Sequence, residues 1–357
     1  MKKLNVTIFV ASDSQHLKQV IVGFQLLNKK NKINLSYTET QLSGKEIELP
    51  HEHIVIAYIE EKIIVFDMMD GYRPLFKDRF DFDKMLKSVD AYFKRSFSSA
   101  INAELLSEDQ IKKICPYGFN YYMWLENNNK KAERLSVRDI YISLRTKFNF
   151  QSNNNQPNYK YKIFEKKPIR KNVPAKIVFL TRLWDPELEK CFSTEELDHI
   201  NNMRISIIRI LKQKYGESFT GGIEDSAYAR ERCPDIIVSK EYTDKQNYLK
   251  IMQSASICIG SIGLHKSIGW KTGEYVAASK AIINEKFAYE VPGNFIENVN
   301  YIPFLSVKEC IDAVEMLMND QDKLLKMSRA NHDYYRKYGR PDKLIGNAID
   351  TFLKQYN

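Results

Sequence analysis

Apolar positions along this chain switch repeatedly between the spacing of a strand and the spacing of a helix. Residues 4–11 predict a first strand. Ser12-Asp13-Ser14 supplies a turn and a helix cap, and Val20, Ile21, Phe24 and Leu27 then follow helical spacing. Residues 33–37 predict a second strand. Residues 53–59 and 62–66 predict two more, close enough for a hairpin or for successive strands of one sheet. The second of these runs into the loop 67–74, which contains Asp67 and Asp70. Residues 82–88 suit a helix, residues 91–97 a strand carrying the cations Lys94 and Arg95, and residues 116–120 a loop. Residues 134–148 are mixed.

The second half is more regular. Residues 175–181 predict a strong strand followed by Arg182-Leu183-Trp184-Asp185-Pro186, and Ser193 with Glu196 forms a capping box ahead of a long helix to residue 215. Residues 219–222 read as a strand end with a flexible loop at Gly221-Gly222, and residues 235–239 as a short strand. Ser306 with Glu309 caps a helix to residue 318, a further helix reaches residue 337, and Pro341 opens a last one. Strand and helix alternate throughout, which argues for a parallel, doubly wound sheet.

The chain is organised around residues 248–292. Tyr248, Leu249, Met252 and Ala255 give one face of a helix, and residues 256–259 are a continuous apolar run that suits a strand buried on both faces. Gly260 and Gly263 break the pattern, residues 269–279 predict a helix, and residues 281–283 the next strand. A strand, a glycine-broken loop and a helix start form an anion pocket, because unpaired backbone N–H groups and the positive helix end point into one crevice. Lys266 and Lys271 add charge there, and Glu274 lies in the first turns of the helix. Such a pocket suits a nucleotide diphosphate with its ribose nearby.

This stretch resembles the donor-binding region of glycosyltransferases of the GT-B architecture, which have two Rossmann-like domains. Glu274-Tyr-Val-Ala-Ala-Ser-Lys-Ala-Ile-Ile283 is similar to the family's glutamate, apolar, alanine, Gly-Lys-Pro-Val-Ile pattern, with Ser279 in the glycine place. Retaining members often carry a second glutamate eight residues earlier; here that position is Lys266, so a retaining mechanism does not carry over. The resemblance extends over residues 176–357. It implies an α/β fold of two doubly wound, Rossmann-like domains facing across a cleft, with an acceptor-binding domain over residues 1–160 and a linker over 161–174. A nucleotide-sugar-binding domain over 175–338 follows, and the segment 339–357 packs back on the first domain.

The resemblance also implies roles. Arg182, after the first strand of the second domain, would hold the donor diphosphate, and Glu274 the ribose. Gly221, Gly222, Gly263, His265, Lys266 and Lys271 are the other candidate donor contacts. A catalytic base is sought among Asp67, Asp70, Asp13 and His16, since an inverting transfer needs a carboxylate or histidine near the acceptor hydroxyl. Lys94 and Arg95 would meet the acceptor, a saccharide or a lipid-linked one. The expected activity is transfer of a sugar from a nucleotide-sugar, a substrate rather than a cofactor, in surface polysaccharide synthesis. Transfer of a polyol phosphate on a similar scaffold, or a binding module without catalysis, remain as alternatives.

Composition narrows the reading. The chain has 357 residues, enough for two ordinary domains, and 43% hydrophobic with 28% charged residues is a folded composition. No apolar run reaches the roughly 20 residues that span a bilayer. The five cysteines have no Cys-x-x-Cys spacing and fit a reducing cytoplasm. A net charge of +9 favours acidic partners, among them phosphate-bearing ligands and an anionic membrane face, so a peripheral position on the inner face of a membrane is compatible. The lysines are not gathered on one element and no nucleic-acid motif occurs, so nucleic acid is not an expected partner. No metal is predicted: Asp81-Phe82-Asp83 reads as a helix cap, and His51-Glu52-His53 lacks further ligands at useful spacing. Walker, Gly-x-Gly-x-x-Gly and Gly-x-Ser-x-Gly sequences are absent.

Overall fold

The computed structural model describes residues 3–72, 79–124 and 159–356. The expected features at Arg73 and Pro74, the mixed stretch 134–148 and the polar run 151–158 lie outside the described residues.

The first sheet contains β1 (Leu4–Val10), β2 (Ile33–Thr38), β3 (Ile54–Ile59), β4 (Lys62–Asp67), β5 (Ala91–Lys94) and β6 (Ile114–Pro116), in the order β2-β1-β3-β4-β5-β6. It is mixed. β3 runs antiparallel to both neighbours, and every other pairing is parallel. The hairpin alternative for residues 53–66 is the one adopted, with Glu60 at φ 50° in its two-residue turn. All six side chains of β3 are buried, as expected of an apolar run at the centre of a covered sheet. Helix α1 (Lys18–Lys29) covers one face, and α2 (Arg79–Ser88) lies on the other, where Phe82, Met85 and Leu86 join Ile54, Ile56 and Val65. Helix α3 (Ser99–Leu105) follows β5.

The second sheet is parallel throughout: β7 (Ile177–Thr181), β8 (Phe219–Glu224), β9 (Ile237–Val238), β10 (Ile257–Gly260), β11 (Ala281–Glu285) and β12 (Ile302–Phe304), ordered β12-β11-β10-β7-β8-β9. Numbered from its own start, this sheet reads 6-5-4-1-2-3, the doubly wound dinucleotide-fold order. Its strand order reverses between β7 and β10, and ligands of open α/β sheets bind outside the carboxyl ends of the strands at such a switch point. The principal helices are α4 (Thr194–Tyr215), α5 (Ala227–Arg232), α6 (Lys245–Ser254), α7 (Trp270–Ala277), α8 (Val307–Asn319) and α9 (Gln321–Tyr334). Ser193 and Ser306 cap α4 and α8 by accepting from the Glu196 and Glu309 amides at 3.1 and 3.2 Å.

Two details depart from expectation. Gly221 and Gly222 are not in a loop, because β8 continues to Glu224. A Cβ at Gly221 would lie 2.8 Å from the Phe179 carbonyl oxygen, and one at Gly222 2.7 Å from that of Ile236, so both permit close packing of adjacent strands. Ser279 closes α7 with φ 55°, the left-handed conformation that a glycine takes most easily, and its hydroxyl donates to the Lys166 carbonyl at 2.7 Å.

A last helix, α10 (Pro341–Tyr356), returns to the first sheet. Leu344, Ile345, Ala348, Ile349 and Phe352 enter the cluster formed by Val20, Phe24 and Leu27 of α1. Gly23 permits the contact: a Cβ there would lie 2.3 Å from Ile345 Cγ1 and 2.6 Å from the Pro341 carbonyl oxygen.

Candidate functional site

The carboxyl ends of β1, β4 and β5 bring His16, Asp70 and Arg95 together. Arg95 is buried; its Nη1 lies 2.8 Å from Asp70 Oδ1 and 3.0 Å from His16 Nδ1. A guanidinium only donates, so Nδ1 of His16 accepts and the neutral ring carries its proton at Nε2. Burial and the Arg95 charge lower the His16 pKa to about 4, so the ring is neutral at pH 7. Its edge meets the Trp270 ring of α7, centroids 4.8 Å apart, and Arg95 Nη2 donates to the Ile268 carbonyl at 3.1 Å. These groups therefore lie where the loops of the two sheets meet.

β3 runs antiparallel, so the residues before it also reach this end of the sheet. His53 Nδ1 bonds the Ser14 hydroxyl at 2.8 Å and its ring stands 5.2 Å from that of His16. His51 Nε2 lies 3.2 Å from Asp67 Oδ1. Asp67 is completely buried; Tyr92 OH donates to Oδ2 at 2.6 Å, Lys94 Nζ at 2.9 Å, and the Met69 amide to Oδ1 at 2.8 Å. Burial alone would raise its carboxyl, but Lys94 and His51 outweigh burial and hold it well below the usual range. Asp67 is thus an internal counter-ion, not an accessible base. Lys94, 0% exposed and bound to it, is equally withdrawn from any acceptor. Asp13 is exposed and paired with Lys18.

On the second domain, Glu274 is 1% exposed. Its Oε1 receives Lys245, the first residue of α6, and its Oε2 has no hydrogen-bond partner among the described residues. Lys271, one turn earlier on α7, donates to the Leu180 carbonyl at the end of β7. Burial first, then the nearby Lys245, lowers the Lys271 pKa to about 8. Both ammonium groups stand over the Tyr248 ring, at 4.8 and 5.1 Å. Arg182 is exposed, its guanidinium 4.1 Å from the Trp184 ring centroid. Trp184 is clamped through its backbone by Asn201 at 2.9 and 2.7 Å.

Two residues that the sequence reading did not select build the frame beneath. Arg204 of α4 donates to Ser261 Oγ at 2.9 Å and to the carbonyls of Arg182 at 2.7 Å and Ile262 at 2.8 Å, and Glu285 accepts from the Ile262 amide at 2.9 Å. They tie the loop after β7 to the loop after β10. Burial lowers Arg204 to about 10 and pushes the Glu285 carboxyl up. Arg204 was legible as an arginine on the apolar stripe 197, 200, 204, 208, 211 of its helix.

The loop after β10 is tight. Gly263 N donates to the Ser267 carbonyl at 2.8 Å, and a Cβ on Gly263 would lie 2.7 Å from Ser267 Oγ. His265 and the exposed Lys266 follow with φ 57° and 56°, a conformation uncommon outside glycine. Phe192 packs on the His265 ring at 4.6 Å, Tyr289 OH donates to its carbonyl at 2.8 Å, and its Cβ would lie 2.8 Å from a Cβ on Gly71 of the first domain. The candidate site thus has two groups: Asp70, His16 and Arg95 meet Trp270 at the start of α7, and Lys271 and Glu274 stand with Lys245 further along the same helix. Asp67, Lys94, Gly221 and Gly222 stand apart from it. Among the described residues no group of three His, Cys, Asp or Glu side chains has the spacing of a metal site.

Two α/β domains meet at the carboxyl ends of their sheets, the second is doubly wound, and the final helix returns to the first. The fold is GT-B. No family model and no curated protein matches the chain. Among solved structures it is similar to the C-terminal domain of a group 1 family glycosyl transferase (LpcC) from Francisella tularensis, at 14% identity and TM-score 0.34 over 49% of this chain and 95% of that one. A TarM mutant of S. aureus, in complex with fondaparinux, α-GlcNAc-glycerol and UDP, is 12% identical with TM-score 0.37, over 81% and 55%. A putative UDP-N-acetylglucosamine 2-epimerase from Listeria monocytogenes is 11% identical with TM-score 0.41, over 93% and 70%. The GT-B architecture is read from the strand orders and the returning helix, not from likenesses at that level.

Proposed function

We propose that the chain is a glycosyltransferase that moves a sugar from a nucleoside-diphosphate donor to a saccharide or lipid-linked acceptor, in the synthesis of surface polysaccharide. The observation that carries this reading is the buried Glu274 carboxylate. It has one oxygen unpartnered, stands beside Lys245 and Lys271, and lies on the helix that follows the switch-point loop. An acceptor-only oxygen next to two ammonium groups is what a ribose hydroxyl linked to phosphate requires. Arg182, free to leave the Trp184 face, supplies a bidentate phosphate contact from the end of β7.

On the facing side, Asp70 is the candidate base. It is part-exposed, and its Oδ1 meets Arg95. Its Oδ2 takes the proton as the acceptor oxygen bonds the anomeric carbon and the bond to the diphosphate breaks with its electron pair. His16 serves less well as a base, because its one lone pair already faces Arg95; its Nε2–H orients a substrate oxygen instead. Lys271, Arg182 and the amides opening α7 stabilise the departing diphosphate.

The reading is tested by thermal shift with nucleoside diphosphates on the wild type and on Glu274→Gln and Arg182→Ala, followed by donor turnover. A ligand that binds only the folded protein raises its Tm. The expected result is stabilisation by one diphosphate, lost in both variants although each stays folded. Stabilisation without donor consumption favours a binding module, consumption of a cytidine-linked polyol favours polyol-phosphate transfer, and no response to any nucleotide overturns the assignment of the cleft.

A further inference from the structure

Residues 159–176 leave the bridge between Trp124 and Lys160 and run to β7 as a strap across the second domain. The strap is fixed at several points. Tyr159 and Phe164 are buried, and the Ile163 carbonyl accepts from Gln253 Nε2 at 2.6 Å. The Lys166 backbone bonds the Ala277 carbonyl and the Ser279 hydroxyl, and the Ile169 amide donates to Ser328 Oγ at 2.9 Å. What it presents outward is one-sided in charge. Lys166, Lys167, Arg170, Lys171 and Lys176 are all exposed, and none is ion-paired among the described residues. The strap's single acid, Glu165, is turned inward to Tyr335 OH at 3.2 Å. Two apolar side chains stand among the cations, Ile163 at 38% and Val173 at 45% exposure.

We infer that this strap is a docking surface for an anionic phospholipid bilayer, separate from the cleft and independent of the activity proposed for it. Cations held on a fixed backbone approach a sheet of negative headgroups without ordering a flexible segment first, and exposed isoleucine and valine enter the headgroup boundary. A single-stranded nucleic acid fits less well, since it stacks its bases on aromatic faces, and of the strap's three aromatic side chains Tyr159 and Phe164 are buried and Tyr161 is half-buried.

The test is co-sedimentation of the full chain with vesicles of phosphatidylcholine alone and with about 30% phosphatidylglycerol added, at about 0.1 M salt, where surface charges still act over roughly 10 Å. The wild type is expected to bind only the anionic vesicles. The combined variant Lys166→Glu, Lys167→Glu, Arg170→Glu, Lys171→Glu is expected to bind at least several hundredfold more weakly, at about fivefold or more for each of the four cations. A control with the same charge change elsewhere, Lys29→Glu, Lys32→Glu, Lys87→Glu, Lys354→Glu, retains most of the binding. Ile163→Ser with Val173→Ser lowers the part of the binding that survives added salt. Equal binding by strap and control variants overturns the inference. So does wild-type binding that ignores lipid charge, and so does binding of a single-stranded oligonucleotide without binding of vesicles.

Discussion

Lys94 and Arg95 are neighbours in sequence and differ completely in use. Lys94 ends β5 pointing into the sheet's covered face and neutralises Asp67, while Arg95 turns into the cleft and joins Asp70 and His16. Successive residues of a strand face opposite sides, so one of the pair had to go inward. Nothing in the local sequence says which, because a buried cation becomes acceptable only when Asp67 arrives from the neighbouring strand β4. Lys94→Met leaves the Asp67 charge buried without its ammonium and is expected to destabilise the fold by about 3–5 kcal/mol in urea titration. The folded Asp67 carboxyl is held below its unfolded value, so its contribution is present above pH 4 and is lost as pH falls through the folded value. Lys271 carries the opposite lesson. Its pKa of about 8 means that its charge is present below pH 8 and absent above it. Diphosphate affinity is therefore expected to fall between pH 7 and pH 9 in calorimetry, roughly tenfold per pH unit above the midpoint if phosphate binds only the charged form. In Lys271→Arg that slope is expected to vanish; a wild-type affinity that stays flat across the range removes Lys271 from the phosphate contact.

Most helices and strands of the second domain were legible because they carried their own period, cap or breaker. Ser193, Ser306 and Pro341 mark the helix starts they were expected to mark. Legibility failed where an element's meaning depends on a distant partner. The short strands β6 and β12 lack enough residues to show a period. β3 could be read as a strand but not given a direction, and direction is what brings His51 and His53 to the cleft. The glycines of β8 looked like a loop because their reason, the approach of Phe179 and Ile236, comes from adjacent strands. Of the candidate site, Glu274, Lys271, His265, Asp70 and His16 were legible from strand ends and helix starts, whereas Lys245 and Glu285 gave no local sign. Gly23 shows the same dependence between helices. Gly23→Ala forces the backbone at Pro341 away from α1 and is expected to cost about 1–3 kcal/mol in denaturant unfolding, even though alanine is the better helix former. A stabilised Gly23→Ala protein would mean that α1 and α10 do not meet as described.

Across the whole molecule, the two domains share a buried apolar cluster, in which Phe119, Tyr121 and Met123 pack with Tyr248, Tyr275 and Val276, and small polar contacts stand at the edge of the cleft. Besides Arg95 and Ile268, Glu290 accepts from the Ser99 amide at 2.8 Å, and its own amide donates to the Phe97 carbonyl at 2.8 Å. Tyr289 beside it stands 6.3 Å from the Tyr72 ring. Polar contacts of this kind are individually weak. Glu290→Ala is expected to raise amide hydrogen exchange in a peptide containing residues 97–99 while leaving β3 unchanged. Exchange that stays as slow as in the wild type would show that Glu290 does not hold this edge of the cleft.

The returning helix has a consequence in time. Lys30 of the first domain pairs with Asp342, 312 residues further along the chain, and the apolar side chains of α10 complete the cluster around α1. A ribosome that has made the first sheet must synthesise the whole second domain, at about 5–20 residues per second, before the segment that covers Val20, Phe24 and Leu27 emerges. For that interval, some tens of seconds, the nascent first domain carries an open apolar flank, and the order of synthesis favours the second domain, with its own local βαβ pairings, as the first to become complete.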